Sequence, residues 1–123
     1  MRWDQNRLRS AHLLFVLLTG GHALAASEND FPAVKPILDE FCLTCHSTKK
    51  HKGDFDLEQH ASPAGLQRHP NVWQHVLEQI GDQEMPPKDK PQMAPAQKAR
   101  LIAWIRSSLD AFALKYADSW INL

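Results

Sequence analysis

Residues 42–46 read Cys42-Leu43-Thr44-Cys45-His46, and this stretch is the strongest indication of the fold in the sequence. In a helix, positions i, i+3 and i+4 share one face, so Cys42, Cys45 and His46 would point the same way. Two thiols on that face can bond the two vinyl groups of a porphyrin while the imidazole reaches its iron. C-x-x-C-H is the attachment sequence of c-type haem. The segment therefore predicts one covalently bound haem c per chain, with His46 as an axial iron ligand.

Two other uses of the cysteine pair are weighed against haem. A thioredoxin-like C-x-x-C dithiol belongs beside a βαβ pattern, and no strand–helix–strand alternation is visible here. A structural zinc site needs two further ligands at matched spacing, which the remaining histidines do not offer. His46 directly after Cys45 favours haem over both, although both stay open as alternatives.

The N-terminus has the layout of a secretory signal peptide. A basic opening with Arg2, Arg7 and Arg9 precedes the unbroken apolar run Leu13 to Leu18, and Ala23-Leu24-Ala25 is a small-x-small cleavage signal. The run is shorter than the roughly 18 apolar residues that a spanning helix needs. We therefore expect residues 1–25 to be removed, an exported protein in the periplasm or outside the cell, and no stable membrane insertion after cleavage. A buried first helix or an uncleaved anchor is the alternative.

The charge balance excludes one class of partner. The chain has 14 basic and 14 acidic residues, and removing residues 1–25 takes away three Arg and one Asp, which leaves 11 basic and 13 acidic residues. Such a balance does not indicate binding to nucleic acid. The remaining 98 residues make a marginal core, which a covalently held apolar macrocycle would enlarge.

The remaining pattern predicts an all-α, cytochrome c-like fold with three to four helices, long loops and a domain over residues 33–116. Apolar residues recur at helical spacing, which predicts helices over 33–46, 71–80 and 95–116. Pro36 is expected in the first turn of the first helix. Residues 26–32 are expected to form a loose leader, 54–57 a short extended segment that directs Phe55 and Leu57 to the haem, and 61–70 a loop.

Met85 is the predicted second axial ligand. Its thioether is a soft ligand, and Met/His coordination raises the reduction potential of haem iron. Pro86 and Pro87 follow it, so the backbone at Met85 is kept out of the helical region and stiffened. Met93 lacks that brace. The hydrogen on the second ring nitrogen of His46 is expected to be donated to a carbonyl, with the Pro63 carbonyl as one candidate.

Other occupants of the sixth position remain open. A histidine would give a bis-His haem of lower potential, and the candidates are His51, His60, His69 and His75. An open sixth position would suit a haem sensor or a peroxidase-like domain, for which His75 or Glu84 would have to act as the distal acid–base group.

The ordered set of motifs resembles the single-haem cytochrome c domain of planctomycete-type secreted proteins. The matching pieces span roughly residues 33–110 and include Cys42 to His46, Lys52 to Leu57, Glu84-Met85-Pro86-Pro87 and Leu101 to Ile105. The resemblance implies a class I-like cytochrome c fold in which the first and last helices pack together, with Trp104 near the first helix. It also implies His46 and Met85 as the two axial ligands. In that family the haem domain usually precedes further domains, so this chain is expected to be a stand-alone version or part of a larger multidomain protein.

The function expected from these patterns is electron transfer without substrate chemistry of its own. The alternatives are the sensor or peroxidase-like domain with an open sixth position and, with less support, the C-x-x-C dithiol protein. The redox partner is not identified by the sequence. Lys49, Lys50 and Lys52 either surround an exposed haem edge and attract an acidic partner, or form an ordinary solvated loop.

Overall fold

The computed structural model describes residues 30–121, and within this range it contains helices and loops but no β-strand. The described part of the chain forms five α-helices: α1 (Phe31–Phe41), α2 (Leu43–His46), α3 (Pro63–Arg68), α4 (Pro70–Gly81) and α5 (Pro95–Ile121). Two 3₁₀ turns, Lys52–Asp54 and Glu58–His60, lie between α2 and α3. The predicted all-α class is confirmed, with more helical segments than the expected three to four. The predicted signal peptide lies outside the described residues.

Helix α1 begins earlier and ends earlier than predicted. Pro32 occupies the first turn, where a missing N–H costs nothing, so the helix includes residues that were expected to be a loose leader. Pro36 therefore lies inside the helix. The helix ends at Phe41 and resumes at Leu43, because Cys42 has φ −116° and ψ −56°. The predicted continuous helix to His46 is thus interrupted at Cys42.

The prediction of a loop over residues 61–70 is wrong, because α3 occupies most of it. Ser62 caps this helix, and its Oγ accepts a hydrogen bond of 2.9 Å from the Gly65 N–H. Pro63 follows the cap, where its fixed φ suits a first turn. Six residues are too few for hydrophobic periodicity to reveal a helix. The cap and the following proline were the available sequence signals.

The core lies between α1, α4 and α5. Trp104 on α5 is fully buried, and its ring lies 5.4 Å from Phe31 of α1 and 5.3 Å from Trp73 of α4, measured between centroids. The expected packing of Trp104 near the first helix is confirmed. The other fully or largely buried apolar side chains are Val34, Ile37, Leu38, Leu57, Leu66, Val76, Ile80, Leu101 and Ile105.

The last two helices follow the predicted order and exceed the predicted bounds slightly. Helix α4 starts at Pro70 and includes Gly81. Helix α5 runs to Ile121, beyond the predicted end at residue 116. Gln97 Oε1 accepts a hydrogen bond of 2.8 Å from the N–H of Ala94, just before α5 begins. Within residues 30–121, no helix combines the length and the apolar character needed to cross a bilayer.

Candidate functional site

The backbone of Cys42 joins α1 to α2 and brings the cysteine and histidine side chains together. Its N–H donates to the Leu38 carbonyl over 3.0 Å, as the last bond of α1. Its carbonyl accepts from the N–H of Cys45 at 3.2 Å and of His46 at 2.9 Å. The residues three and four positions after Cys42 thus both donate to its carbonyl. The helical geometry that the motif predicted is present, although it belongs to a new helix that begins after Cys42.

The two thiols are free, and the environment of Cys42 does not suit a redox dithiol. Burial raises the pKa of the Cys42 thiol to about 11. Reactive cysteines in C-x-x-C redox proteins have a lowered pKa, because the thiolate is the nucleophile. Cys42 is therefore a neutral thiol at physiological pH, and its setting argues against the dithiol alternative.

Two neighbouring cavities meet at His46 and Met85. The first has a volume of about 400 Å³ and extends to the buried side chains of Leu57, Val76 and Ile80. The second has a volume of about 520 Å³ and extends along Thr44 and Cys45. Cys42 lines the first cavity and Cys45 lines the second. The residues common to both are Phe41, His46, Lys52, Gly53, Met85 and Pro86.

Met85 reaches these cavities from the loop between α4 and α5. Its N–H donates to the Gln79 carbonyl over 3.1 Å, and the N–H of Glu84 donates to the same carbonyl over 3.0 Å. The backbone at Met85 is not helical, as the following prolines predicted, and the Met85–Pro86 peptide bond is cis. The side chain of Met85 remains 37% exposed, so it does not serve as filler of the buried core.

The loop after α2 brings aromatic and aliphatic side chains to the same place. Gly53 has φ +71°, a value that glycine adopts easily, and the chain turns here toward Phe55. Phe55 lies edge-on to His46 with ring centroids 5.3 Å apart. Leu57 is buried, and its N–H donates to the His46 carbonyl over 2.9 Å. Both side chains line the first cavity, as the alternation over residues 54–57 predicted.

The candidates for the sixth iron ligand differ in whether they line either cavity. His51, His60 and His69 line neither cavity, and the rings of His60 and His69 instead contact each other at 4.6 Å. His75 does line the first cavity, but its ring is largely exposed and its Nδ1 lies 3.4 Å from Glu78 Oε2. Met93 also lines the first cavity and packs against the core. Glu84 lines neither cavity.

The residues around the cavities fit a haem. The ring nitrogen Nδ1 of His46 is buried and has no hydrogen-bond partner among the described residues, so the expected bond to the Pro63 carbonyl is absent. The walls are mainly apolar, two thiols lie at the two cavities, and a histidine and a methionine line both. This donor set suits haem iron and two vinyl groups.

Basic side chains lie along the second cavity. Lys50 Nζ donates to the Thr44 carbonyl over 2.7 Å, and Lys52 and Lys90 line the cavity itself. Hydrogen bonding and charge from Lys90 lower the pKa of the Asp89 carboxyl, and the charge of Lys52 contributes. We call Lys50, Lys52 and Lys90 the lysine rim. Lys90, which is distant in sequence from the other two, was not among the lysines singled out from the sequence.

Comparison with known families places the site within a recognised domain. Residues 42–89 match the family described as Planctomycete cytochrome C. No curated protein and no solved structure compared with the chain matches it. The matched segment begins at Cys42 and includes Cys45, His46 and Met85, while α1 and α5 lie outside it, so the match is narrower than the resemblance over residues 33–110. Cytochrome c families carry covalently bound haem. Together with the all-α frame, this match over residues 42–89 supports a planctomycete-type cytochrome c domain.

Proposed function

We propose that this protein is an exported single-haem electron carrier whose iron is held by His46 and Met85. Thioether bonds from Cys42 and Cys45 would anchor the macrocycle, each formed by adding an S–H across a vinyl double bond. When bound, the haem supplies a centre that exchanges one electron between ferric and ferrous states. The protein's own residues anchor it, orient it and limit its contact with water.

The convergence of four side chains from two distant segments carries the proposal. Cys42 joins α1 to α2, Cys45 and His46 lie in α2, and Met85 comes from the loop after α4. His46 and Met85 line both cavities, so both side chains could serve as iron ligands of a haem bound there. A soft thioether ligand and apolar walls both favour the reduced iron and so raise the potential.

Export is the part of the proposal that rests on sequence alone. A basic opening, an apolar run and Ala23-Leu24-Ala25 support removal of residues 1–25. Covalent haem attachment is compatible with that setting, since the two cysteines are then used for thioether bonds and not for a disulfide.

The test begins with the intact mass of the full-length protein, expressed together with a haem-attachment system. The expected mass is that of the chain from Ala26 plus one haem, and it should survive denaturation. A mature chain without added mass would contradict the cytochrome assignment. Cys42→Ala and Cys45→Ala should each prevent normal attachment.

The second ligand is tested by substituting each methionine at the cavity. Met85→Ala should lower the reduction potential and let carbon monoxide bind the ferrous protein rapidly, because the sixth position is opened. Met93→Ala is the matched control, since Met93 lines the first cavity but lacks the following prolines. If the effects appeared in Met93→Ala and not in Met85→Ala, the ligand would be Met93.

A haem domain with a displaceable sixth ligand is the second candidate, and the position of His75 favours it. His75 lines the first cavity together with Met85, so it is available there as an acid–base group. Rapid binding of carbon monoxide by the unmodified ferrous protein would support this candidate over the electron carrier.

The proposed redox partner presents an acidic surface to the lysine rim. Lys50, Lys52 and Lys90 lie beside the second cavity, so they would set the charge around a haem bound there. Glu40 and Asp89 lie in the same region and reduce the excess of positive charge. The effect on association is therefore expected to be moderate.

A further inference from the structure

The side chain of Gln92 is hydrogen-bonded to the backbone of the loop that carries Met85. Its Nε2 lies 3.3 Å from the Pro86 carbonyl oxygen, 2.8 Å from that of Pro87 and 2.9 Å from that of Lys90. An amide nitrogen has two hydrogens, so the three carbonyls share two donors. One side chain thus bridges both sides of the turn between residues 86 and 92.

The chemistry of the loop explains what a side-chain donor can contribute there. Pro86 and Pro87 have no N–H, so this part of the backbone can be held by hydrogen bonds only through its carbonyls. On the other side of Met85, the backbone is already held, because the Gln79 carbonyl accepts from the N–H groups of Glu84 and Met85. After Met85, the N–H of Lys90 donates to the Pro87 carbonyl over 2.9 Å, and Gln92 adds the bonds that reach both proline carbonyls.

We propose that Gln92 is the positioning residue that holds the Met85 sulfur at the haem site. This inference rests on the proposed function, in which Met85 is the sixth ligand. Gln92 acts through the loop: its bonds to the Pro86 and Pro87 carbonyls keep the segment closed over the cavities. Without these bonds, Met85 leaves the iron more often, and an external ligand gains access to the sixth position.

The experiment compares Gln92→Leu with Gln97→Leu in the haem-loaded protein. Both substitutions remove a glutamine side chain that is hydrogen-bonded near the start of α5. Gln97, however, accepts from the Ala94 N–H and makes no bond to the loop of Met85 among the described residues. In Gln92→Leu, the loss of one net hydrogen bond should increase the open population, and with it the rate of carbon monoxide binding to the ferrous protein, by about fivefold. The sulfur-to-iron charge-transfer absorption of the ferric protein should weaken, while Gln97→Leu leaves both readouts unchanged.

Gln92→Glu provides a second variant of nearly the same shape. At neutral pH its carboxylate cannot donate and would face the carbonyl oxygens, so carbon monoxide binding should accelerate more than in Gln92→Leu. Unfolding midpoints are measured on all variants. If faster carbon monoxide binding resulted from lower overall stability, Gln97→Leu would show it at a similar loss of stability.

Two results would overturn the inference. One refutes the role of Gln92 alone, and the other also refutes Met85 as the ligand. If Met85→Ala accelerates carbon monoxide binding while both Gln92 variants behave like the parent, the positioning role is refuted and the Met85 ligand stands. If Met85→Ala itself has no effect, the proposed ligand is refuted and the role of Gln92 falls with it.

Discussion

At the scale of single residues, Cys42 shows how one position serves both the fold and the site. Its N–H completes α1, its carbonyl starts the turn that carries Cys45 and His46, and its thiol lines the first cavity. A substitution at Cys42 therefore removes the proposed haem anchor while leaving the backbone bonds in place. This separation of roles makes Cys42→Ala a test of attachment more than of folding.

His60 is expected to make stability depend on pH. Desolvation by burial lowers the pKa of His60, the charge of His69 and a smaller effect of Arg68 lower it further, and Asp56 opposes the shift. In the unfolded chain a histidine has a pKa near 6.5, so the unfolded state takes up a proton first. Stability should therefore be lost as the pH falls from about 6.5 through the lower folded-state pKa.

Chemical denaturation of the haem-loaded protein at a series of pH values measures this dependence. His60→Gln should flatten the fall in unfolding free energy on the acid side, and His69→Gln should reduce it in part, because a neighbouring positive charge is removed. A fall in stability that is identical in parent and His60→Gln would show that other groups are responsible.

At the scale of elements, the short helix α3 depends on a close approach to the preceding 3₁₀ turn. A Cβ on Gly65 would lie 2.5 Å from the His60 carbonyl oxygen and 2.9 Å from the His60 Cα. All the nearest atoms belong to the backbone, so they cannot swing aside as a flexible side chain would. Glycine at this position lets α3 pack against the turn that ends at His60.

Gly65→Ala should therefore destabilise the protein, by about 1–3 kcal/mol, the usual cost of overpacking. Gly81→Ala is a matched control, because Gly81 also lies in a helix but a Cβ there would meet nothing within 4 Å. That substitution should be neutral or stabilise the protein, by up to about 1 kcal/mol, because alanine favours helix. Equal unfolding free energies for the two variants would contradict the close approach at Gly65.

At the scale of the whole molecule, the cavities adjoin a small core. Leu57, Val76 and Ile80 belong to the buried cluster and also line the first cavity. A macrocycle placed there would extend the core and would not merely attach to its surface. The loops of residues 47–62 and 82–94 then form the part of the domain that determines access to the haem and the charge around it.

The salt dependence of electron exchange should reveal whether local or overall charge guides association. The chain without residues 1–25 has 11 basic and 13 acidic residues, so its overall charge would repel an anionic reagent. The lysine rim would attract it. We expect the oxidation rate of the reduced protein by hexacyanoferrate(III) to fall as ionic strength rises, because the local field at the rim dominates over a Debye length of about 8 Å at physiological salt.

Neutralising the rim provides the matched comparison. Lys52→Gln with Lys90→Gln should lower the low-salt rate by about threefold and flatten its salt dependence. Lys115→Gln is the control, because Lys115 lines a separate groove with Arg68 and Tyr116. A rate that rises with salt in the parent would show that the rim does not guide association.

The sequence by itself determined the features that depend on near neighbours. The C-x-x-C-H spacing predicted one helical face because helix hydrogen bonds join residues three or four apart, and the prolines after Met85 excluded a helix there. The helices carrying the core were predictable from apolar spacing, whereas α3 was too short for that signal and α1 was misjudged at Cys42 and Pro32. Met85 was selected as a ligand candidate, and its position on both cavities supports that choice.

Only the tertiary structure decided which distant residues share the site. In the structure, His75 and Met93 line the first cavity, whereas the other candidate histidines His51, His60 and His69 line neither cavity. Lys52 and Lys90 both line the second cavity. The structure also showed that Gln92 bonds the carbonyls of Pro86 and Pro87. The physical reason is that the packing of α1, α4 and α5 sets the distance between the loops that follow α2 and α4, and no local pattern in either loop encodes that distance.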